Sequence, residues 1–472
     1  MRMSDLTYLS AMQMAAMVRS KQVSPVELVQ AHLERAADLQ PRLNAFATLL
    51  AEGALAAARE AEAAVTGGRD PGPLHGVPVT IKSSLDVANV PCACGSALRL
   101  TYIPSEDAPL VTRLRAAGAI VLGNTNVPEF LMAYETDNSV HGRTSNPWNL
   151  ACTPGGSSGG EAAAIAAGCS AGGVGSDGGG SIRVPAHFSG ICGLKPTPGR
   201  IPLTGHFPSP GGAFAWLGVV GPMARTVGDV RALFEEITGP DPGDPCTAPV
   251  PLRLSGPTEI RALPVGILES DALGKPSHET NGAVQQAARA LEQKGFPVEP
   301  VRLQGLDRAL ALWWDFFGRA VGHLLGSMVA GQESLVSPLI REYLAVVREE
   351  PALTLDQLLQ ACMERDQCRA EILRQMERVS VLLSPVTTGP AFPHGRGNWR
   401  LAGGAGAYRE NMRYAQWLNL AGLPGVVVPM RESAEGLPIG IQVIGRPYEE
   451  EQILAIAERI EEGRGAWRQP PI

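Results

Sequence analysis

The pattern of hydrophobic and polar positions changes near residue 60. Before it, apolar side chains recur at helical spacing, and residues 24–27 (Ser-Pro-Val-Glu) form a capping box with proline at the first helical position. The opening stretch, residues 1–20, is typical of an amphipathic helix because Asp5 and Gln13 interrupt its apolar positions. These patterns predict an N-terminal helical arm over residues 1–60.

After residue 60, short β-branched runs alternate with segments of helical length, with Gly and Pro between them. This alternation is typical of an α/β sheet. The late strands carry no new start signal, so both halves of the chain are expected to close one sheet. We predict a single α/β domain over residues 61–472, with a large mixed, twisted sheet flanked by helices and one compact unit with the arm. The runs with strand character are 77–81, 119–122, 265–268, 381–383, 426–428 and 439–444.

The composition is that of a globular protein. The 472 residues are 44% hydrophobic and 18% charged, which allows a large core. A net charge of -7 gives no overall positive field, so neither nucleic acid nor an anionic membrane surface is an expected partner. No apolar run reaches the roughly 18 residues of a membrane-spanning helix.

The eight cysteines do not form the framework of a small disulfide-rich domain. A reducing compartment, the cytoplasm, fits this usage best. Cys92 and Cys94, and Cys362 and Cys368, are closely spaced, but neither pair has histidines or a second pair at zinc spacing. We therefore predict no metal site.

Residues 149–212 are the part of the chain richest in glycine. They are too dense in Gly and Ser for regular elements, apart from the apolar run 162–167, and loops approaching a ligand explain them best. Ser157 and Ser181 each lie in a glycine nest, where backbone N–H groups can converge on an anionic centre. Such a nest beside a serine is what an oxyanion hole requires.

Three short patterns compete for this segment. Residues 155–159 match G-x-S-x-G, which needs a preceding strand, but residues 146–149 and Pro154 make a strand improbable there. Residues 173–178 match G-x-G-x-x-G, but they follow a helix and open no good helix. Neither loop continues into G-K-[ST], which excludes a phosphate-binding P-loop.

A set of longer motifs in one order is more specific than any of these. The motifs are VTIK at 79–82, GNTNVPEF at 123–130, GGSSGGE at 155–161, DGGGSIRVP at 177–185, GLKPT at 193–197, GPMART at 221–226 and LP at 423–424. Together they resemble the amidase signature family, and the resemblance covers about residues 6 to 461. It implies the amidase signature fold.

The resemblance makes Ser181 the nucleophile, Ser157 a bridging serine that follows a cis peptide bond, and Lys82 the base. The chemistry supports this independently, because an unaided serine is a poor nucleophile near neutral pH. A lysine accepts the proton only when neutral, and burial lowers its pKa toward that state. Ser157 would relay the proton from Ser181 to Lys82 and return it to the leaving amine.

The same resemblance assigns the surrounding loop. The backbone N–H groups of Gly178, Gly179, Gly180 and Ser181 would form the oxyanion hole. Three further residues would hold the loop without taking part in the chemistry; these are Ser158, Asp177 and Arg183. The family usually carries a threonine and a bulky apolar residue where this chain has Ser176 and Gly178, which predicts a more mobile loop with its backbone donor intact.

The substrate pocket is predicted from two segments. Leu131, Met132 and Tyr134 follow a turn that the resemblance places along the substrate channel. Aromatic residues at helical spacing between 313 and 317 fit an apolar acyl or aryl pocket and core packing equally well; they are Trp313, Trp314, Phe316 and Phe317. A serine–histidine triad is a further alternative, but no local motif singles out any of the eight histidines, which include His75, His141, His187 and His206.

These observations predict an amidase that hydrolyses the C–N bond of a small apolar or aryl linear amide through an acyl-enzyme on Ser181. The mechanism needs neither a metal nor an organic cofactor. Three alternatives stay open: a carbamate (urethane) or ester hydrolase using the same triad, the glutaminase subunit of a tRNA-dependent amidotransferase, and a non-catalytic anion-binding protein. Because members of the family are often dimers, a homodimer is expected.

Overall fold

The structure is a computed structural model that describes residues 6–69, 72–209, 211–253, 260, 263–269, 273–396 and 410–472. Its strands are β1 (Phe46–Leu49), β2 (Pro78–Lys82), β3 (Ile120–Thr125), β4 (Gly172–Asp177), β5 (Cys192–Lys195), β6 (Val219–Ala224), β7 (Val265–Leu268), β8 (Val298–Val301), β9 (Val381–Pro385), β10 (Gly425–Glu432) and β11 (Pro438–Ile444).

The helices lie between and around these strands along the chain. They are α1 (Ala11–Arg19), α2 (Pro25–Leu43), α3 (Ala51–Thr66), α4 (Pro109–Ala116), α5 (Gly159–Ala166), α6 (Arg183–Ser189), α7 (Ala213–Leu217), α8 (Val227–Ile237), α9 (His278–Glu292), α10 (Leu306–Trp313), α11 (Val321–Met328), α12 (Pro338–Glu349), α13 (Leu355–Gln375), α14 (Arg413–Ala421) and α15 (Glu450–Arg464). A π-helical segment, Trp314–Ala320, joins α10 to α11, and short 3-10 turns occupy Ala97–Arg99, Glu129–Leu131 and Met376–Arg378.

All eleven strands form one sheet, in the order β1-β3-β2-β4-β6-β5-β10-β11-β9-β7-β8. The pairs β2–β3, β2–β4, β7–β8 and β7–β9 are parallel, whereas the other neighbours are antiparallel. The contact of β5 with β10 joins the first half of the chain to the second. The predicted single α/β domain with a mixed sheet flanked by helices is therefore confirmed.

The six predicted strands are all present, but the N-terminal segment is not entirely helical. The capping box at Ser24 is formed, and α1 to α3 are helices. Residues 46–49, however, form β1, which pairs with β3 at the edge of the sheet. A strand of four residues is too short to show a period of its own beside long helices. Residues 1–5 of the predicted arm lie outside the described residues, and its division from the rest at residue 60 stays a prediction.

The prediction that residues 149–212 form no regular elements apart from the run 162–167 was wrong. They contain β4, α6 and β5 in addition to α5. Glycine is frequent here because neighbouring groups leave no room for a side chain: a Cβ on Gly173 of β4 would come within 2.2 Å of the Thr80 carbonyl oxygen. The glycines therefore reflect close packing inside a fully buried sheet as well as loops.

The two faces of the sheet bury separate hydrophobic cores. Val79 and Ile81 of β2 pack in the core that also holds residues of α1, α4, α8, α9 and α15. Residues of α6 and α10–α14 belong to the core of the opposite face. Because side chains alternate along a strand, Thr80 and Lys82 point away from the first core. Among the described residues, none of the helices combines the length and hydrophobicity needed to cross a membrane.

Candidate active site

Lys82 and Ser157 meet beneath the glycine-rich loops. Lys82 is the last residue of β2, and its Nζ lies 2.7 Å from Ser157 Oγ. The same nitrogen donates to Ser176 Oγ at 3.0 Å and to the Ser176 carbonyl oxygen at 3.3 Å. The Gly156–Ser157 peptide bond is cis, as the family resemblance implies. The predicted base and the predicted bridging serine are thus in direct contact.

The surroundings of Lys82 favour its neutral form. Its side chain is fully buried, and burial lowers the pKa to about 7 from 10.5, against the opposing effect of Cys94, Asp177 and Glu161. Near neutral pH a substantial share of Lys82 is therefore an amine that can accept a proton.

Ser181 lies in the loop between β4 and α6, and it lines the same cavity as Ser157. The cavity has a volume of about 360 Å³. Ser181 is 9% exposed, and Ser157 is 1% exposed. The more exposed of the two serines is thus the predicted nucleophile, and the more enclosed serine is the one bonded to Lys82.

The side chain of Asp177 fixes the Ser181 loop. Its Oδ1 accepts the Gly180 N–H at 2.7 Å and its Oδ2 accepts the Ile182 N–H at 3.1 Å, while Arg183 donates to both oxygens at 3.0 Å. Burial raises the pKa of this carboxyl, but the adjacent Arg183 guanidinium outweighs burial and holds the pKa well below its usual range. Asn419 of α14 donates to Oδ1 at 3.0 Å. Asp177 is therefore an ionised anchor for the loop.

The hydrogen bonds of Asp177 also decide which backbone N–H groups of the loop are available to an oxyanion. The Gly180 N–H is committed to Asp177, so it is not available to an oxyanion in this arrangement. Within the described part of the chain, the N–H groups of Gly178, Gly179 and Ser181 donate to no protein group. Ser158 supports the loop from below, because its own N–H donates to the Ser181 carbonyl oxygen at 3.1 Å.

The predicted pocket residues fall into two groups. Leu131, Met132 and Phe317 line the cavity. Tyr134 and Trp313 lie behind its wall, where Tyr134 Oη donates to the Gly179 carbonyl and Trp313 Nε1 to the Gly178 carbonyl, each at 2.9 Å. They hold the loop in place.

Phe316 and Trp314 also lie away from the cavity wall. Phe316 is fully buried and packs edge-on against Trp216, with 5.9 Å between the ring centroids. Trp314 donates from Nε1 to Glu350 Oε1 at 2.9 Å. Of the aromatic cluster, therefore, Phe317 alone reaches the substrate side, because a helix turns successive side chains to different faces.

Sequence reasoning missed most of the cavity wall. Apolar residues of α11 extend the surface begun by Phe317, and they are Val321, Leu324, Leu325 and Met328. Their spacing of three and four residues is the signal that could have found them. Leu203, Phe207, Leu217 and Val219 line the cavity from distant parts of the chain, and no local signal marks them.

No histidine takes the place of Lys82. His206 lines the cavity, but its Nδ1 lies 3.0 Å from the Pro208 carbonyl, and burial lowers the pKa of the ring to about 4. His187 accepts the Gly440 N–H at Nδ1 and its Nε2 lies 3.0 Å from the Gly389 carbonyl. In the described residues neither ring is hydrogen-bonded to Ser157 or Ser181, and no cluster of three metal-ligating side chains is present.

Fold and site together place a buried lysine in contact with one of two serines that line the same cavity. Residues 27–454 match the family described as Amidase. The chain belongs to this amidase family.

The relatives differ in what they are named for. The glutamyl-tRNA(Gln) amidotransferase A chain of Carboxydothermus hydrogenoformans is 34% identical, over 97% of this chain and 98% of the relative. Indoleacetamide hydrolase of Bradyrhizobium diazoefficiens is 36% identical, over 97% of this chain and 86% of the relative. Among solved structures, a peptide amidase in complex with chymostatin superposes with a TM-score of 0.82 at 28% identity, over 98% of this chain and 99% of the other.

Proposed function

We propose that the chain is an amidase that hydrolyses the C–N bond of a small, apolar or aryl linear amide. The observation that carries this proposal is the contact of a buried lysine with Ser157 on a cavity that Ser181 also lines. A carbamate or an ester presents the same carbonyl to the same groups, so either is a variant of this proposal.

In the proposed reaction, Ser181 Oγ attacks the carbonyl carbon as its proton passes to Ser157 and the proton of Ser157 passes to Lys82. The N–H groups of Gly178, Gly179 and Ser181 stabilise the tetrahedral oxyanion. The proton returns from Lys82 through Ser157 to the leaving nitrogen as the C–N bond breaks. Water then attacks the acyl-enzyme by the same relay and releases the acid and Ser181.

The chemistry of the cavity supports an apolar substituent. Phe130, Met132, Phe317 and the apolar residues of α11 form most of its wall. The charged group among the described lining residues is Asp177, which is paired with Arg183. Leu324 and Met328 are 59% and 42% exposed, so the apolar wall continues to the protein surface. A relative named for indoleacetamide, an amide with an aromatic substituent, agrees with this substrate class.

The second candidate is the glutaminase component of an amidotransferase, and the relatives named for glutamyl-tRNA(Gln) amidotransferase favour it. Free glutamine carries an α-ammonium and an α-carboxylate, and both lose hydration when they enter a cavity. In the described lining residues, no unpaired charge is placed to compensate either group. The cavity therefore favours the simple amidase.

The test combines covalent labelling with a substrate panel. A fluorophosphonate probe followed by peptide mass spectrometry should label Ser181, and labelling should weaken in Lys82→Ala. The panel contains indole-3-acetamide, an aliphatic amide, an aryl carbamate, an aryl ester and glutamine. We expect turnover of the apolar amides, its loss in Ser181→Ala, and no loss in the control Ser334→Ala, whose side chain is exposed.

Each other outcome points to a different function. Ammonia release from glutamine alone, together with a co-purifying partner, would establish the glutaminase component. Labelling of Ser157 would contradict the assignment of the nucleophile. Neither labelling nor turnover of any substrate would favour the non-catalytic anion-binding protein.

A further inference from the structure

A buried carboxyl group, that of Glu161, lies close to the proposed base and has no role in the reaction as written. Glu161 is on α5, four residues after Ser157, and is fully buried. Its Oε1 is hydrogen-bonded to Thr80 Oγ1, and its Oε2 accepts a hydrogen bond from Thr125 Oγ1 at 2.8 Å. The carboxyl thus bridges the helix that follows Ser157 to β2 and β3.

The packing around Glu161 is specific to this side chain. A Cβ on Gly173 of β4 would come within 2.0 Å of Glu161 Oε1, so the strand above the carboxyl must carry glycine. Thr80 and Lys82 are two residues apart on β2 and therefore point to the same face of the sheet. Lys82 is the charged group whose field acts on Glu161.

Counting hydrogen atoms along the hydroxyl groups fixes the position of one proton. Ser170 Oγ donates its single hydrogen to the Gly172 carbonyl at 2.7 Å, because a carbonyl can only accept. The contact of 3.1 Å between Thr80 Oγ1 and Ser170 Oγ then needs the hydrogen of Thr80. Thr80 has none left for Glu161. The hydrogen bond between Thr80 and Glu161 therefore needs a hydrogen on the carboxyl.

We propose that Glu161 is a neutral carboxylic acid that positions Lys82, and that its O–H begins a hydrogen-bond chain through Thr80 and Ser170 to the Gly172 carbonyl. With the proton on Oε1, every hydroxyl of the chain donates once, and Oε2 is free to accept from Thr125. A carboxylate would leave the oxygens of Thr80 and Ser170 facing each other with no hydrogen between them. Burial raises the pKa of Glu161 to about 7, against the lowering effects of Thr80, Thr125 and Lys82, in agreement with this arrangement.

The protonation state is tested by infrared spectroscopy, which does not depend on turnover. In deuterated buffer near pH 6, below the pKa of about 7, the wild-type protein should show the carbonyl stretch of a protonated carboxyl that is missing from Glu161→Gln. The band should persist in Ser181→Ala, so failure of the proposed amidase function does not affect it. In Thr80→Val the band should shift, because the acid loses its acceptor. The last variant keeps the test valid if Glu161→Gln does not fold.

The positioning role rests on the proposed amidase function and is tested by kinetics. Glutamine can donate to Thr80 and accept from Thr125, so Glu161→Gln should keep kcat/KM, measured at pH 6 where Glu161 is protonated, within about threefold of wild type. Glu161→Leu fills similar space without either bond, and it should lower kcat at unchanged KM.

Three results would overturn the proposal. The first is the absence of any carboxyl band that Glu161→Gln removes, and the second is an unchanged band in Thr80→Val. The third is a kcat/KM of Glu161→Gln at pH 6 that falls as far as that of Glu161→Leu, because a neutral side chain able to make both hydrogen bonds should keep Lys82 in place.

Discussion

Substitution of Lys82 by methionine should remove activity and yet change stability in a way that reveals the state of the lysine. Methionine has a similar length and no charge, so it fits the same buried channel. It removes the bonds of Nζ to Ser157 and Ser176, and this loss does not depend on pH in the neutral range. The pH-dependent difference between the two proteins therefore reports mainly the proton of Lys82, with a smaller contribution from Glu161, whose pKa Lys82 lowers.

The magnitude follows from the two pKa values. In the unfolded chain Lys82 has its ordinary pKa of 10.5, whereas burial lowers the folded value to about 7. Because the folded pKa is lowered, the unfolded state binds more protons between these values, and wild-type stability rises with pH through this window. At about 1.4 kcal/mol per pH unit, the stability advantage of Lys82→Met should shrink by about 2 kcal/mol between about pH 7 and pH 9.

The assay is urea denaturation of both proteins across this pH range, with the slope m compared to confirm the same unfolding transition. Lys195→Met is a positive control, because Lys195 is also buried and its pKa is likewise lowered to about 7, chiefly by burial. Lys275→Met is the matched surface control, since that side chain is exposed. A difference in the free energy of unfolding between wild type and Lys82→Met that stays constant with pH would refute the reasoning. It would also mean that the chain has no neutral base at Lys82.

Three further results are expected. The pH profile of kcat/KM should rise with an acid limb near pH 7 as Lys82 loses its proton, and a limb near pH 4 would contradict the assignment. Gly179→Ala should lower kcat, and through overpacking it should lower the free energy of unfolding by about 1 to 3 kcal/mol, because the added Cβ would lie 2.5 Å from Trp313. Gly389→Ala is the control in the same assays, because its added Cβ would have no atom within 4 Å. Asp177→Asn should lower the free energy of unfolding by about 3 to 5 kcal/mol, since it leaves a buried guanidinium without its counter-charge; a loss below 1 kcal/mol in urea denaturation would be evidence against the anchor.

The Ser181 loop shows how much of the site can be predicted from local sequence. The glycine nest around Ser181 and the stretch around Ser157 were recognisable because short-range chemistry requires small residues beside a reacting oxygen. The same glycines concealed β4 and β5, since a pattern of hydrophobic alternation is absent from strands buried among close neighbours. Glu161 was part of a recognised motif, but nothing in its neighbours along the chain shows that its carboxyl faces Thr80 and Thr125.

Periodicity and contiguous motifs predicted the class of fold, most of the longer strands and the three side chains of the proposed triad. How those pieces meet depends on the tertiary structure. It placed Phe317 on the cavity and Trp313 behind it, committed the Gly180 N–H to Asp177, and buried Lys82 enough to lower its pKa. Burial, hydrogen-bond partners and cavity walls depend on residues that are distant in sequence, so a local pattern cannot predict them.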